Sequence, residues 1–252
     1  MGTIGDPEGK LARQFDGRVD GVTVLPGWEP DPEAILELEP DLIIYMFVLD
    51  EGIYQNLSKI APTLNPLTLA FNWRRVTQDM AALVEMSEQA AQMVAEYEAA
   101  KAAASDQLPP GLREECETMA VLFTNPRGLR LYGVGAPVEE GQFFATNVSE
   151  IPYFDLRLTP PSIIRDHTQL NASGYVELSL EALPQLDDAD HVLLYVGDPD
   201  KTAELENHPL WKALPAAQNG KVYKLPFDSL TIGGPVIMRQ RLDEFVALVS
   251  AP

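Results

Sequence analysis

The chain has 252 residues, 46% of them hydrophobic, which is enough to bury one large core or two modest ones and too apolar for a disordered segment. Lysine and arginine total 18 against 38 acidic residues, and the formal net charge of -20 repels a phosphate backbone, so nucleic acid is excluded as a partner. The single cysteine, Cys116, allows neither a disulfide framework nor a cysteine-based metal cluster within one chain. No apolar run reaches the roughly 18 residues of a bilayer span, and Met1 to Lys10 lack the basic start and apolar stretch of an export signal.

Along the chain, Asp31-Pro32-Glu33 supplies an N-cap acid, a proline at the first helical position and an acid in the first turn, predicting a helix that Pro40 ends. The apolar run Leu42 to Phe47 then has the length and flanks of a buried strand. Trp73-Arg74-Arg75 follow the segment Pro66 to Phe71, with a helix expected from about Val76. From a polar cap at Ser87 and Glu88, the residues Ala90, Met93, Val94, Tyr97 and Ala104 keep helical spacing to Gln107, a stiff alanine-rich helix. Pro109-Pro110-Gly111 break the chain, and Thr118 to Phe123 read as a strand. Asn125-Pro126-Arg127 and Arg130-Leu131-Tyr132 straddle a hairpin or strand-end loop, with Gly141 to Phe144 beyond it. Ser179 and Glu181 open a second capped helix, and Asp190 leads into the strand His191 to Val196. Gly220 to Pro226 is a short strand, and Gly234-Pro235 starts a final amphipathic helix through Leu242, Phe245 and Val249.

The helix-to-strand step thus occurs twice, with Glu33 and Glu181 in the same place, as two lobes of shared architecture require. The expected division is a lobe over 1–86, a connecting helix over 87–107 and a lobe over 108–252. Taken alone, each glutamate needs no partner, since an acid in a first turn complements the helix dipole by about 0.3–1 kcal/mol. Trp28 precedes Glu33 and Tyr175 precedes Glu181 by nearly the same interval, which sets one aromatic per lobe near a cleft. His167, His191 and His208 are scattered and none stands at ligand spacing to another, so no metal site is expected. No phosphate-binding glycine loop, nucleophile elbow or H-E-x-x-H pattern occurs, and no catalytic residue is assigned.

The segments Pro32 to Ile44, Ile60 to Thr63, Glu88 to Tyr97, Leu178 to Leu183, His208 to Pro215, Gly220 to Tyr223 and Gly234-Pro235 keep an order and spacing over nearly the whole chain. In that pattern the chain resembles the periplasmic binding proteins for ferric siderophores, haem and cobalamin. The resemblance implies two Rossmann-like α/β lobes joined by a single long helix, the class III or helical-backbone receptor, with a small closure on binding. It implies the non-catalytic substrate-binding component of an ABC importer, a monomer without a covalently bound cofactor, that takes an Fe(III)-siderophore into the interlobe cleft and delivers it to a membrane permease. Haem or cobalamin is the alternative ligand, and an α/β enzyme with a cleft active site is the more distant one.

Family members start with a signal peptide, often a lipoprotein cysteine, and a first strand and helix ahead of the part that Met1 to Gly5 matches. The chain is therefore expected to start inside the first lobe, and the place of action to be the periplasm or, as a lipoprotein, the cell surface. By the same resemblance Glu33 and Glu181 form salt bridges with arginines of the permease. A ferric siderophore brings its own oxygen donors to the metal, so the protein reads the outside of the chelate with guanidinium groups and aromatic faces. The candidate ligand-binding residues are Trp28, Tyr45, Trp73, Arg74, Arg75, Arg127, Arg130, Tyr132 and Tyr175.

Overall fold

A computed structural model describes residues 2–4, 21–25, 31–45, 51–64, 73–113, 117–134, 136–139, 142–144, 148–165, 170, 174–226 and 234–251. The chain divides into two compact units, Met1–Ala70 and Phe71–Pro252.

In the first unit, β1 (Gly2–Ile4) pairs in parallel with β2 (Thr23–Leu25), and α1 (Pro32–Glu37) follows. Asp31 caps α1 as expected, its Oδ1 accepting the Glu33 N–H at 3.0 Å, and Pro32 occupies the first turn. The helix closes at Leu38, before Pro40. Two-residue strands β3 (Ile43–Ile44) and β4 (Thr63–Leu64) pair in parallel around α2 (Glu51–Leu57). The buried strand expected over Leu42 to Phe47 is corrected here. Ile44 is 45% exposed, and its ladder partner Leu64 is exposed beside it, because the ladder is only two residues long. Residues 46–50 lie outside the described residues.

The second unit opens with α3 (Trp73–Leu83), α4 (Ser87–Gln107) and α5 (Pro110–Arg113). Next come β5 (Met119–Asn125), β6 (Gly128–Tyr132), the hairpin strands β7 (Ala136–Glu139) and β8 (Gln142–Phe144), and a π-helical turn over Glu150–Asp155. α6 (Ser162–Arg165), β9 (Tyr175–Leu178), a 3-10 helix over Leu180–Leu186 and β10 (His191–Val196) follow. The remainder is α7 (Pro199–Asn207), α8 (Pro209–Lys212), α9 (Pro215–Gln218), β11 (Val222–Pro226) and α10 (Pro235–Val249).

Five strands make one sheet in the order β11-β10-β5-β6-β9. β11, β10 and β5 run parallel, with α7 to α9 providing the crossover that a parallel pair needs, while β6 runs antiparallel to both β5 and β9. Every residue of the central strand β5 is buried, as a strand covered on both faces must be. Gly197, just past β10, has to be glycine: a Cβ there would lie 2.6 Å from the Thr124 carbonyl oxygen.

α4 buries Ala90, Tyr97 and Ala104, a stripe spaced by two turns, and packs against α3 and α10. Its cap departs from expectation, since Met86 is the N-cap and makes no side-chain capping bond, leaving Ser87 inside the helix. Pro110 begins a short turn that buries Leu112, where only a chain break was expected. The segment after Ser179 is a 3-10 helix because Pro184 has no N–H for an i→i−4 bond, and the tighter winding puts Leu183 and Leu186 on one buried edge.

Candidate functional site

In the second unit, Asn125 Oδ1 accepts the Arg127 N–H at 2.8 Å, and Gly128 takes a φ of 141, so the chain reverses tightly between β5 and β6. The ladder then aligns Phe123 with Arg130 and Glu177, and Val121 with Tyr132 and Tyr175. Because side chains alternate along a strand, Phe123, Arg130, Tyr132, Tyr175 and Glu177 project from one face. The Arg130 guanidinium lies 4.3 Å over the Tyr175 ring and its Nε donates to Glu177 Oε1 at 3.0 Å. The Tyr132 ring sits 5.4 Å from Tyr175 and 6.5 Å from Phe123. Arg130 keeps 19% of its side chain exposed and Glu177 keeps 54%, so this stack is reached from solvent. Burial pushes the Tyr132 phenol above its ordinary pKa, which keeps it neutral. The structure therefore brings together three of the sequence candidates, Arg130, Tyr132 and Tyr175. Glu177, which orients the arginine, escaped the sequence reading, although its two-residue spacing from Tyr175 was the available signal.

Trp73, Arg74 and Arg75 are placed differently from expectation, since the helix begins at Trp73 and not near Val76. Trp73 is buried and meets Tyr97 edge-on at 4.8 Å, with Arg74 lying 4.5 Å over the Trp73 ring. Arg74 Nε donates to Glu98 at 2.6 Å, Nη1 to Glu150 at 3.1 Å and Nη2 to Asp155 at 2.6 Å. Tyr97 donates to the other oxygen of Asp155 at 2.5 Å, and Lys101 also pairs with Glu98. All three nitrogens of Arg74 are thus engaged within the protein, joining α3 to α4 and to the π-helical turn. Burial raises the Glu150 carboxyl to about 8, with the neighbouring Asp155 charge adding to the rise and Arg74 opposing it. No periodic signal in the sequence pointed to Glu150 or Asp155, because a π turn has no repeat to detect. Arg75 is exposed and binds Asp79 at 2.7 Å one helical turn on. Tyr45 is buried in the first unit, and Trp28 lies outside the described residues.

Glu33 and Glu181 are both exposed in first turns, as their motif requires. The Glu181 carboxyl is held below its ordinary pKa by its own backbone N–H and by the Ser179 hydroxyl. Two histidines serve the fold. His191 is buried between Glu117, at 2.6 Å from Nε2, and the Tyr223 hydroxyl, at 3.1 Å from Nδ1, while His208 accepts the Leu210 N–H at 3.3 Å. His167 lies outside the described residues, and among those described no three potential metal ligands converge.

The second unit is thus a parallel-centred α/β sheet carrying an arginine stacked on tyrosine at its antiparallel edge. The chain belongs to the family described as Periplasmic binding protein, which matches residues 2–229. It is similar to the iron-uptake system-binding protein of Bacillus subtilis, 26% identical over 213 residues, which cover 82% of this chain and 61% of that protein. It is also similar to the iron(3+)-hydroxamate-binding protein FhuD of Bacillus subtilis, at 24% identity over 246 residues, 96% of this chain and 73% of that one. The solved FhuD protein from S. pseudintermedius superposes with a TM-score of 0.79 at 19% identity, over 99% of this chain and 84% of its own, which shows the shared fold. The chain thus spans 61% of the length of the first of these relatives.

Proposed function

We propose that this chain is the extracytoplasmic substrate-binding component of an ABC importer, and that it captures a ferric siderophore and delivers it to a membrane permease. The observation that carries this reading is the solvent-reached stack of Arg130 on Tyr175 beside Tyr132, in a family whose similar members are named for iron uptake and iron(3+)-hydroxamate binding. Iron held by the chelate's own oxygens needs no protein ligand. Arg130, held by Glu177 and by the Tyr132 hydroxyl, presents its charge to the chelate oxygens, and the tyrosine faces cover the apolar parts of the chelate. The lobes are assigned from the sequence pattern as 1–86 and 108–252, although the helices over 73–83 and 87–107 belong to the compact unit Phe71–Pro252, and the uninterrupted α4 favours a small closure. Glu33 and Glu181 carry the docking to arginines of the permease. The protein acts as a monomer, without covalently bound cofactor and without catalysis, in the periplasm or at the cell surface.

The test is a fluorescence titration of the chain's three tryptophans with ferric hydroxamate, catecholate and citrate-type chelates, and with haem and cobalamin. Saturable quenching by one ferric chelate, absent with its iron-free form and weakened by Arg130→Ala, is the expected result. Saturation by haem or cobalamin alone would reassign the ligand within the family, and silence toward all of them would sink the reading.

A further inference from the structure

The two charges of the Arg130 stack are unequally placed. Arg130 keeps 19% of its side chain exposed, and its guanidinium lies over the Tyr175 ring, donates to Glu177 and meets the Tyr132 hydroxyl. Glu177 keeps 54% exposed, so whatever reaches the stack from solvent meets the carboxylate before the cation. Alternation and register turn only neutral residues of β5 to this face, so across β5, β6 and β9 it carries one cation, Arg130, and one anion, Glu177. The pair cancels, and its outer member is the anion.

That balance sorts ferric chelates by charge. Three hydroxamate groups, each singly negative, cancel the charge of Fe(III) and leave an uncharged complex. Three catecholates, each doubly negative, leave a complex with three negative charges, and citrate-type chelates are anionic as well. A carboxylate about 8 Å from a triply negative complex weakens its binding about tenfold in water, and about threefold at physiological ionic strength. The rest of the chain acts in the same direction, since a net charge of -20 repels any anion. An uncharged complex escapes both penalties. Its oxygens accept from Arg130, and any amide N–H it carries donates to Glu177.

We propose, resting on the reading of this stack as the chelate site, that Glu177 is a specificity-determining residue that sets the charge class of the ligand. It favours an uncharged ferric complex of the trihydroxamate kind over the multiply anionic catecholate and citrate kinds. Its carboxylate then has two tasks, to hold the Arg130 guanidinium and to turn away anionic chelates. Glutamine separates the tasks, because it keeps an oxygen for the Arg130 Nε and loses the charge.

The experiment titrates the purified chain by tryptophan fluorescence, at low and at physiological salt, with an uncharged ferric trihydroxamate, a ferric tricatecholate and ferric citrate. The same series is run on Glu177→Gln and on Glu204→Gln. The second variant removes an acid from α7, whose Thr202 bonds Thr124 on the other face of the sheet. The parent is expected to bind the trihydroxamate about tenfold or more tighter than either anion at low salt. Glu177→Gln should tighten the tricatecholate about three- to tenfold, most at low salt, and leave the trihydroxamate within about twofold. Glu204→Gln should keep the parent's preference. A parent that prefers an anionic complex would overturn the proposal while leaving the stack as the chelate site. An unchanged preference in Glu177→Gln would do the same and leave Glu177 a positioning residue for Arg130 alone, and an equal shift in both variants would assign the effect to net charge. Binding of no ferric chelate by the parent would remove the proposal together with the reading it rests on. Should Glu177→Gln lower the thermal midpoint, the parent decides by itself: its tricatecholate affinity should rise with salt while its trihydroxamate affinity stays flat, and the reverse trend would sink the proposal.

Discussion

Arg74 and Arg130 each lie over aromatic rings in the second unit, yet their surroundings give them opposite work. Arg74 meets Glu98, Glu150 and Asp155, the last two buried, and it lies over Trp73 and Tyr97. Arg130 meets one exposed carboxylate, Glu177, and one partly exposed ring, Tyr175. A guanidinium whose three nitrogens all meet carboxylates, two of them buried, fixes elements to one another, because removing it strands buried charge. A guanidinium that meets one exposed carboxylate and a neighbouring tyrosine hydroxyl contributes less to stability. The same residue type beside an aromatic is therefore a fastener or a reader according to how many carboxylates share it and how deeply those carboxylates are buried.

The largest effect that would break this contrast is at Arg74. Arg74→Met leaves Glu150 and Asp155 buried without their cation and is expected to cost about 3–5 kcal/mol in urea unfolding, with chelate affinity of the folded protein retained. Unchanged stability with lost binding would instead make Arg74 a ligand residue. Next comes pH. The folded Glu150 carboxyl holds its proton to about 8 while its ordinary value is 4.5, so the folded state binds more protons across that window and loses stability as pH rises through it. The slope from one such group reaches at most about 1.4 kcal/mol per pH unit. Glu150→Gln should flatten it, seen as a stability difference from the parent that shifts in the variant's favour from pH 5 to about pH 8. A parallel pair of pH curves would show that Arg74 keeps Glu150 ionised.

Arg130→Gln should weaken the ferric chelate about tenfold, roughly 1.4 kcal/mol, and shift the urea midpoint little, since an exposed pair is worth about 0–1 kcal/mol. Loss of stability without loss of affinity would place Arg130 with Arg74 among the fasteners. The smallest change is expected at Arg75, whose exposed pairing with Asp79 lies within one helix: Arg75→Ala should leave both chelate affinity and thermal midpoint unchanged within error.

Local chemistry made several elements legible in advance. Asp31-Pro32 is a capped helix start in any context, since the capping bond and the proline φ involve neighbours in sequence. The spacing of Ala90, Tyr97 and Ala104 and the run His191 to Val196 gave α4 and β10 their extents. The β5–β6 reversal follows from Asn125 and Gly128, and it places Arg130 and Tyr132 on one face by alternation alone. What the sequence could not supply was the sorting of its arginines. Arg127, three positions before Arg130, lines a cavity on the opposite face of the sheet from the stack. Trp73 and Arg74 read as cleft residues when the helix was expected to begin after them.

The sequence by itself determined the family, the capped turn that carries Glu33, the long α4 and the strand that follows it, because each is written in short-range pattern: a cap, a repeat, an apolar run. Only the tertiary structure decided which charges are shared. Arg74 meets Glu150 and Asp155 far along the chain, and Tyr175 comes under Arg130 only when β9 pairs with β6. The dielectric around a charge, and hence whether it fastens or reads, is set by packing from distant segments that no local pattern encodes.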